Sequence, residues 1–230
     1  MEPQVRTFGN GDVIRATGQN AVLRNTYWLL AISLIPTIIG AAVGVNLDFS
    51  FMRASPMVSG IGTLVVFYGL IFAIERNRDS GLGVGLLLLF TLLMGVLLGP
   101  LLQHILGFRN GGQLIMMAAG GTAASFFGLA AVASSTKRDL SSMGKFLTVG
   151  GIVIMLAVIA NLFLHSPVLQ LTLVGGFVIF SAMVIAWQIN MIVRGGETNY
   201  ISATLTLYVS IYNLFTSLLQ LLGIFGGSRD

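Results

Sequence analysis

The stretch LGVGLLLLFTLLMGVLLGPLLQHIL, from Leu82 to Leu106, decides the fold. It carries no Asp, Glu, Lys or Arg. A helix needs roughly 20 apolar residues to cross the hydrocarbon of a bilayer. The apolar run is continuous rather than alternating, so it reads as a membrane helix and not as a barrel strand. Six other stretches qualify: Thr26–Val45, Met57–Ile74, Gln113–Ser134, Phe146–Leu164, Val168–Val193 and Ala203–Phe225. The connections between them are short. The chain of 230 residues thus reads as an all-α, polytopic membrane protein, a seven-helix bundle over residues 25–226. A polar tail, 1–24, precedes it and a short tail, 227–230, follows. Composition agrees. Hydrophobic residues make up 55% and charged residues 9%, against about 25% charged in soluble domains. With a mean hydropathy of +0.91, the chain cannot cover a water-facing surface. A soluble enzyme, a disordered chain and a collagenous fold are excluded.

The net charge is +4 and the pI about 9.9. The basic residues flank apolar spans, so they point to the membrane rather than to nucleic acid. Nine of the twelve Lys and Arg fall on one side: Arg6, Arg15, Arg24, Arg76, Arg78, Lys137, Arg138, Lys145 and Arg194. Arg53, Arg109 and Arg229 fall on the other. This bias predicts a cytoplasmic N-terminus and, after seven spans, a C-terminus outside. No apolar leader segment opens the chain. With no cysteine, disulfides, thiolate metal sites and thiol catalysis are excluded.

Small residues occur at helix-packing spacing. Gly40 with Gly44, Gly81 with Gly85, and Gly95 with Gly99 each form a GxxxG pair, and internal packing of the bundle is the expected use. Pro100 is expected to kink the third span, and Pro36 marks a similar place in the first.

Catalytic and ion-handling groups are missing from the spans. All 20 charged residues lie in tails, loops or span edges, whereas proton relays, voltage sensors and ion pathways use intramembrane charges. His104 and His165 sit at span ends without an HExxH partner, so no metal site is expected. Gly81-Leu82-Gly83-Val84-Gly85 lacks the lysine and the strand of a nucleotide loop. Ser125, Ser181 and Ser210 have no mid-span base to activate them, which argues against serine proteolysis. No catalytic residue and no cofactor are expected.

The polar residues inside spans are few: Asn161 in the fifth, Gln188 and Asn190 in the sixth, and Tyr208, Ser210, Tyr212 and Asn213 in the seventh. An amide in hydrocarbon seeks a partner on a neighbouring helix. Asn161, Asn190, Tyr208, Tyr212 and Asn213 are therefore expected to form an intramembrane polar network. Tyr208, Tyr212 and Phe215 share one face, and Ser210 and Asn213 lie on an adjacent stripe. A span with polar groups on several sides suits the centre of the bundle. The loop Arg194-Gly195-Gly196-Glu197-Thr198-Asn199-Tyr200 reads as a tight cytoplasmic turn, capped by Thr198 or Asn199, with Arg194 and Glu197 placed to pair. It also offers a recognition surface.

That loop, followed by Ala203-Thr204, Leu207 to Phe215 and Ser217-Leu218-Leu219, resembles the C-terminal signature of the Bax inhibitor/YccA-like membrane proteins. Leu23-Arg24-Asn25-Thr26-Tyr27, Gly99-Pro100-Leu101, Gly120-Gly121-Thr122-Ala123, Arg138-Asp139-Leu140-Ser141 and Ala160 to Leu164 look like the YccA branch. The resemblance covers nearly the whole chain from Leu23 onward. It implies a seven-helix bundle with the seventh helix surrounded by the other six. It also implies a bacterial inner-membrane location and association with the membrane-bound AAA protease FtsH, whose activity such proteins modulate. Elsewhere in the family a pH-sensitive calcium leak is tied to an acidic pair in the sixth and seventh helices. In this sequence those positions fall on Gln188 and Ser210. Neither titrates in the physiological range, although the two can hydrogen-bond.

Two functional readings follow. In the first, the chain is a non-enzymatic regulator of a membrane protease, with the cytoplasmic tail, Met1 to Arg24, as a segment able to enter an ATP-driven pore. In the second, it is a cation leak whose only plausible oxygen lining is Gln188, Asn190, Ser210 and Asn213.

Overall fold

The computed structural model describes residues 10–228. Among them are nine helices and no strand: α1 (Asn10–Val45), α2 (Ser50–Ala54), α3 (Pro56–Arg76), α4 (Gly81–Leu97), α5 (Gly99–Leu106), α6 (Gly111–Ser135), α7 (Met143–Leu164), α8 (Pro167–Arg194) and α9 (Tyr200–Gly226). Seven spans are long and apolar enough to cross a membrane, with α4 and α5 together forming the third. The seven-helix reading is correct.

Local differences have physical causes. The third span breaks at Leu98, because Pro100 has no N–H to continue the ladder and instead opens a new helix. Pro56 and Pro167 likewise stand at helix starts. α1 runs through Pro36 and begins at Asn10, well before the apolar run. Once a span has nucleated a helix, extending it outward costs little. Residues 1–9 of the expected tail lie outside the described residues. The short α2 carries no pattern long enough to announce it.

α9 is central and is the least apolar of the seven spans. It packs against α1, α3, α4, α5, α6 and α8. It is thus ringed by five of the other six spans, whereas α7 packs against α8 and α3 instead. Being surrounded by protein lets α9 carry residues that lipid would reject. Ser202, Thr204, Tyr208, Ser210 and Ser217 are all buried on it.

α1 and α4 make the closest pairing. A β-carbon on Gly40 would collide with the Leu92 carbonyl oxygen, and one on Gly95 with the Thr37 carbonyl oxygen. Gly44 meets Val96, and Gly99 meets Gly44, in the same way. Two of the three GxxxG pairs therefore lock into each other. Gly81 and Gly85 face open space, so the third pair makes no such contact. Helix backbones brought this close gain dispersion contacts along their whole length.

Candidate functional site

The most elaborate polar structure lies at the end of the bundle where α8 turns into α9. Gly195 ends α8 with φ 76, a left-handed conformation that glycine adopts without strain. A β-carbon there would also approach the Gln19 amide of α1 to 2.6 Å. Gly196 donates from its N–H to the Met191 carbonyl at 2.8 Å, which closes the turn. Asn199 then caps α9, its Oδ1 accepting from the N–H groups of Ile201 and Ser202 at 2.9 and 3.1 Å. Its Nδ2 donates outward to the Arg78 carbonyl and to Asp79 Oδ1, at 3.0 and 2.8 Å. One amide thus starts α9 and holds the α3–α4 connection. The Ser202 hydroxyl adds a bond to Glu75 Oε2 at 2.8 Å.

α8 grips a second connection. Asn190, only 1% exposed, accepts from the Leu140 N–H at 3.0 Å and donates to the carbonyls of Ala133 and Arg138 at 3.3 Å. One turn later, Arg194 donates through Nη2 to the carbonyls of Lys137 and Thr136. These carbonyls follow the C-terminus of α6, where the helix dipole favours a cation. Asp139 in the same connection accepts from both the hydroxyl and the N–H of Ser141. Those two bonds hold its carboxyl below the usual carboxylate range. The expected Arg194–Glu197 pair does not form. Glu197 instead accepts from the Asn199 N–H at 2.8 Å, because backbone carbonyls and amides lie nearer to each partner. Of the two capping candidates, Asn199 and not Thr198 is used, and Tyr200 is the first residue of α9.

The expected intramembrane network divides into separate groups. Asn190 belongs to the loop clamp. Tyr208 and Tyr212 point toward α1 and α4: Tyr208 Oη lies 2.8 Å from Thr37 Oγ1 and 3.3 Å from the Thr91 carbonyl, and Tyr212 donates to the Met94 carbonyl at 3.2 Å. Asn161 bonds Gln170 across the α7–α8 turn. Asn213 lines a cleft among α7, α8 and α9. A sequence gives depth along a helix, but which neighbour a face meets depends on packing.

Gln188 and Ser210 do not pair. The Ser210 hydroxyl donates back to the Thr206 carbonyl at 2.8 Å. Gln188 is 2% exposed, and its Nε2 has no partner among the described residues. Among those residues no group of three or more His, Asp or Glu side chains is assembled. Sequence reasoning missed Thr37, Gln103, Gln170 and Gln220. Gln103 on α5 donates to the carbonyls of Val45 and Leu47 at 3.0 and 2.8 Å, tying off the end of α1. A glutamine late in a span, one turn after a Gly-Pro break, is the signal that could have found it.

Fold and clamp together define a polytopic membrane bundle organised around its last span. The family described as inhibitor of apoptosis-promoting Bax1 matches residues 19–227, and the chain belongs to that Bax inhibitor family. The chain is 41% identical over 209 residues to a protein of Escherichia coli K12 named modulator of FtsH protease YccA, covering 91% of each. It is 47% identical over 206 residues to an uncharacterised protein of Neisseria meningitidis serogroup B, covering 89% of this chain and 91% of that one. It is 43% identical over 218 residues to an uncharacterised protein of Pseudomonas aeruginosa, covering 95% and 96%.

Proposed function

We propose that the chain is a non-enzymatic modulator of an FtsH-type membrane AAA protease in a bacterial inner membrane. The observation that carries this reading is its 41% identity, across 91% of both chains, to the Escherichia coli protein of that name. The clamp is consistent with it. Hydrogen bonds from Asn190, Arg194 and Asn199 tie the α3–α4, α6–α7 and α8–α9 connections into one continuous surface that a partner could dock on. The loop end faces the cytoplasm in this reading, in keeping with the side on which nine of the twelve Lys and Arg lie. The rival cation-leak reading draws less support. Gln188 and Ser210 supply no carboxylate, and they are not paired.

The test is an affinity pull-down of tagged protein from mildly solubilised native membranes. The protease is expected to co-purify, and Thr198→Trp, at an exposed loop position whose side chain neither caps α9 nor ties a connection, is expected to abolish its recovery without loss of the folded bundle. A clean preparation without the protease, alongside calcium flux into reconstituted vesicles above the empty-vesicle level, would replace this reading with the leak. Deleting residues 1–9 separates a role for the segment before α1 from one for the clamp.

A further inference from the structure

The seam between α7, α8 and α9 holds a cleft of ≈ 270 Å³. That is room for several waters, each occupying about 30 Å³ in the liquid. One wall is a ladder of amides. Asn161 Nδ2 donates to Gln170 Oε1 at 3.0 Å, Gln170 Nε2 donates to Gln220 Oε1 at 3.3 Å, and Gln220 Nε2 donates to the Thr216 carbonyl at 3.2 Å. Asn213 and Ser217 lie on the same face of α9 as Thr216 and Gln220 and carry the polar lining toward mid-span, while α7 and α8 complete it with apolar side chains such as Val158, Leu173 and Phe177. Asn213 stands at the midpoint of α9, so the cleft reaches halfway along the span. Neither its side-chain amide nor the Ser217 hydroxyl bonds to a described residue. Ser217 is nevertheless 3% exposed. Unsatisfied polar groups at that depth cost several kcal/mol unless something fills the space.

The cleft also has a mouth. A second hollow of ≈ 300 Å³ at the α7–α8 turn shares Asn161, Leu162 and Gln170 with it and adds His165 and Ser166. His165 holds φ 49, the left-handed region, at this rim. No Asp, Glu, Lys or Arg lines either space.

We infer that this cleft is a hydrated binding pocket for small neutral solutes bearing hydroxyl or amide groups, open at the C-terminal end of the bundle and closed to ions. The amides and hydroxyls offer donors and acceptors together, which suits such solutes. An ion entering would lose its hydration shell with no counter-charge to replace it. The inference stands independently of the protease reading.

Natural absence of cysteine makes the test direct. Single variants Ser217→Cys and Thr216→Cys are exposed in membranes to three thiosulfonate reagents of similar size, bearing a hydroxyethyl, a trimethylammonium or a sulfonate group. Rates are normalised to Ser228→Cys, which is exposed beyond α9. Val149→Cys, which projects away from the bundle on α7, and the buried Ile185→Cys serve as dry controls. The neutral reagent is expected to modify position 217 or 216 at least about tenfold faster than either charged one, the discrimination expected when a charge meets membrane depth unpaired. Reaction should come from the same side of the membrane as at position 228. An excess of acetamide or glycerol should slow it. A cleft inert to all three reagents is dry and overturns the inference. Equal rates for the cationic and neutral reagents overturn its neutrality and favour an ion path.

Discussion

The two faces of α9 follow opposite rules. Toward α1 and α4 the face is closed: Tyr208 and Tyr212 find oxygen partners on both neighbours, and four glycines let α1 and α4 backbones touch. Toward α7, which packs on α8 and α3 but not on α9, the C-terminal half of the face is open, and Asn213 and Ser217 look into a cleft. Both faces are polar. What differs is whether the neighbouring backbone comes near enough to answer each polar group. Polarity inside a membrane therefore marks a scaffold on one side of a helix and a pocket on the other.

The largest test of this contrast is Gly95→Leu. The side chain must displace the Thr37 carbonyl of α1, and a loss of about 3 kcal/mol or more is expected. It would be seen as loss of the monodisperse folded species in detergent chromatography. Gly175→Leu, with nothing within 4 Å of its β-position, should leave that species intact. Equal damage from both would erase the distinction.

Asn190→Ala comes next, since it strands the Leu140 N–H and two carbonyls. A cost of about 1–3 kcal/mol is expected, read as faster tryptic cleavage at Lys137 or Arg138. Tyr208→Phe removes the Thr37 and Thr91 bonds and should cost roughly 0.6 to 1.7 kcal/mol by thermal unfolding. A Thr37→Val partner should add little to it, because the two substitutions share the Tyr208–Thr37 bond. The smallest effect belongs to the open face. Ser217→Ala should stay within about 0.5 kcal/mol of the parent. Were it as costly as Tyr208→Phe, the open face would be part of the scaffold after all.

Much of this was legible in the residues. Continuous apolar runs gave seven spans, and the break at Gly99-Pro100 gave the divided third. The tyrosine face at 208 and 212 was legible from its four-residue spacing, and so was a central seventh helix. The second face is equally readable, since Asn213, Thr216, Ser217 and Gln220 recur at three- and four-residue spacing, although of the four only Asn213 belongs to the expected network. What no spacing carries is azimuth between helices. Arg194 and Glu197 looked like a pair because they are neighbours in sequence, whereas each found a nearer backbone partner once α6 and α9 were in place. The helical extension of α1 to Asn10 escaped for another reason. Polar residues join a helix when an adjacent span has already nucleated it.

The central claim is that the clamp at the loop end is the surface a membrane protease meets. It is tested most directly by placing a photo-crosslinking amino acid at Thr198 and, separately, at Asn46 at the opposite end, and irradiating intact cells. The account predicts an adduct with the FtsH-type protease from position 198 and none from 46. Adducts of equal yield from both ends, or none from 198 while the protease still co-purifies, would contradict it.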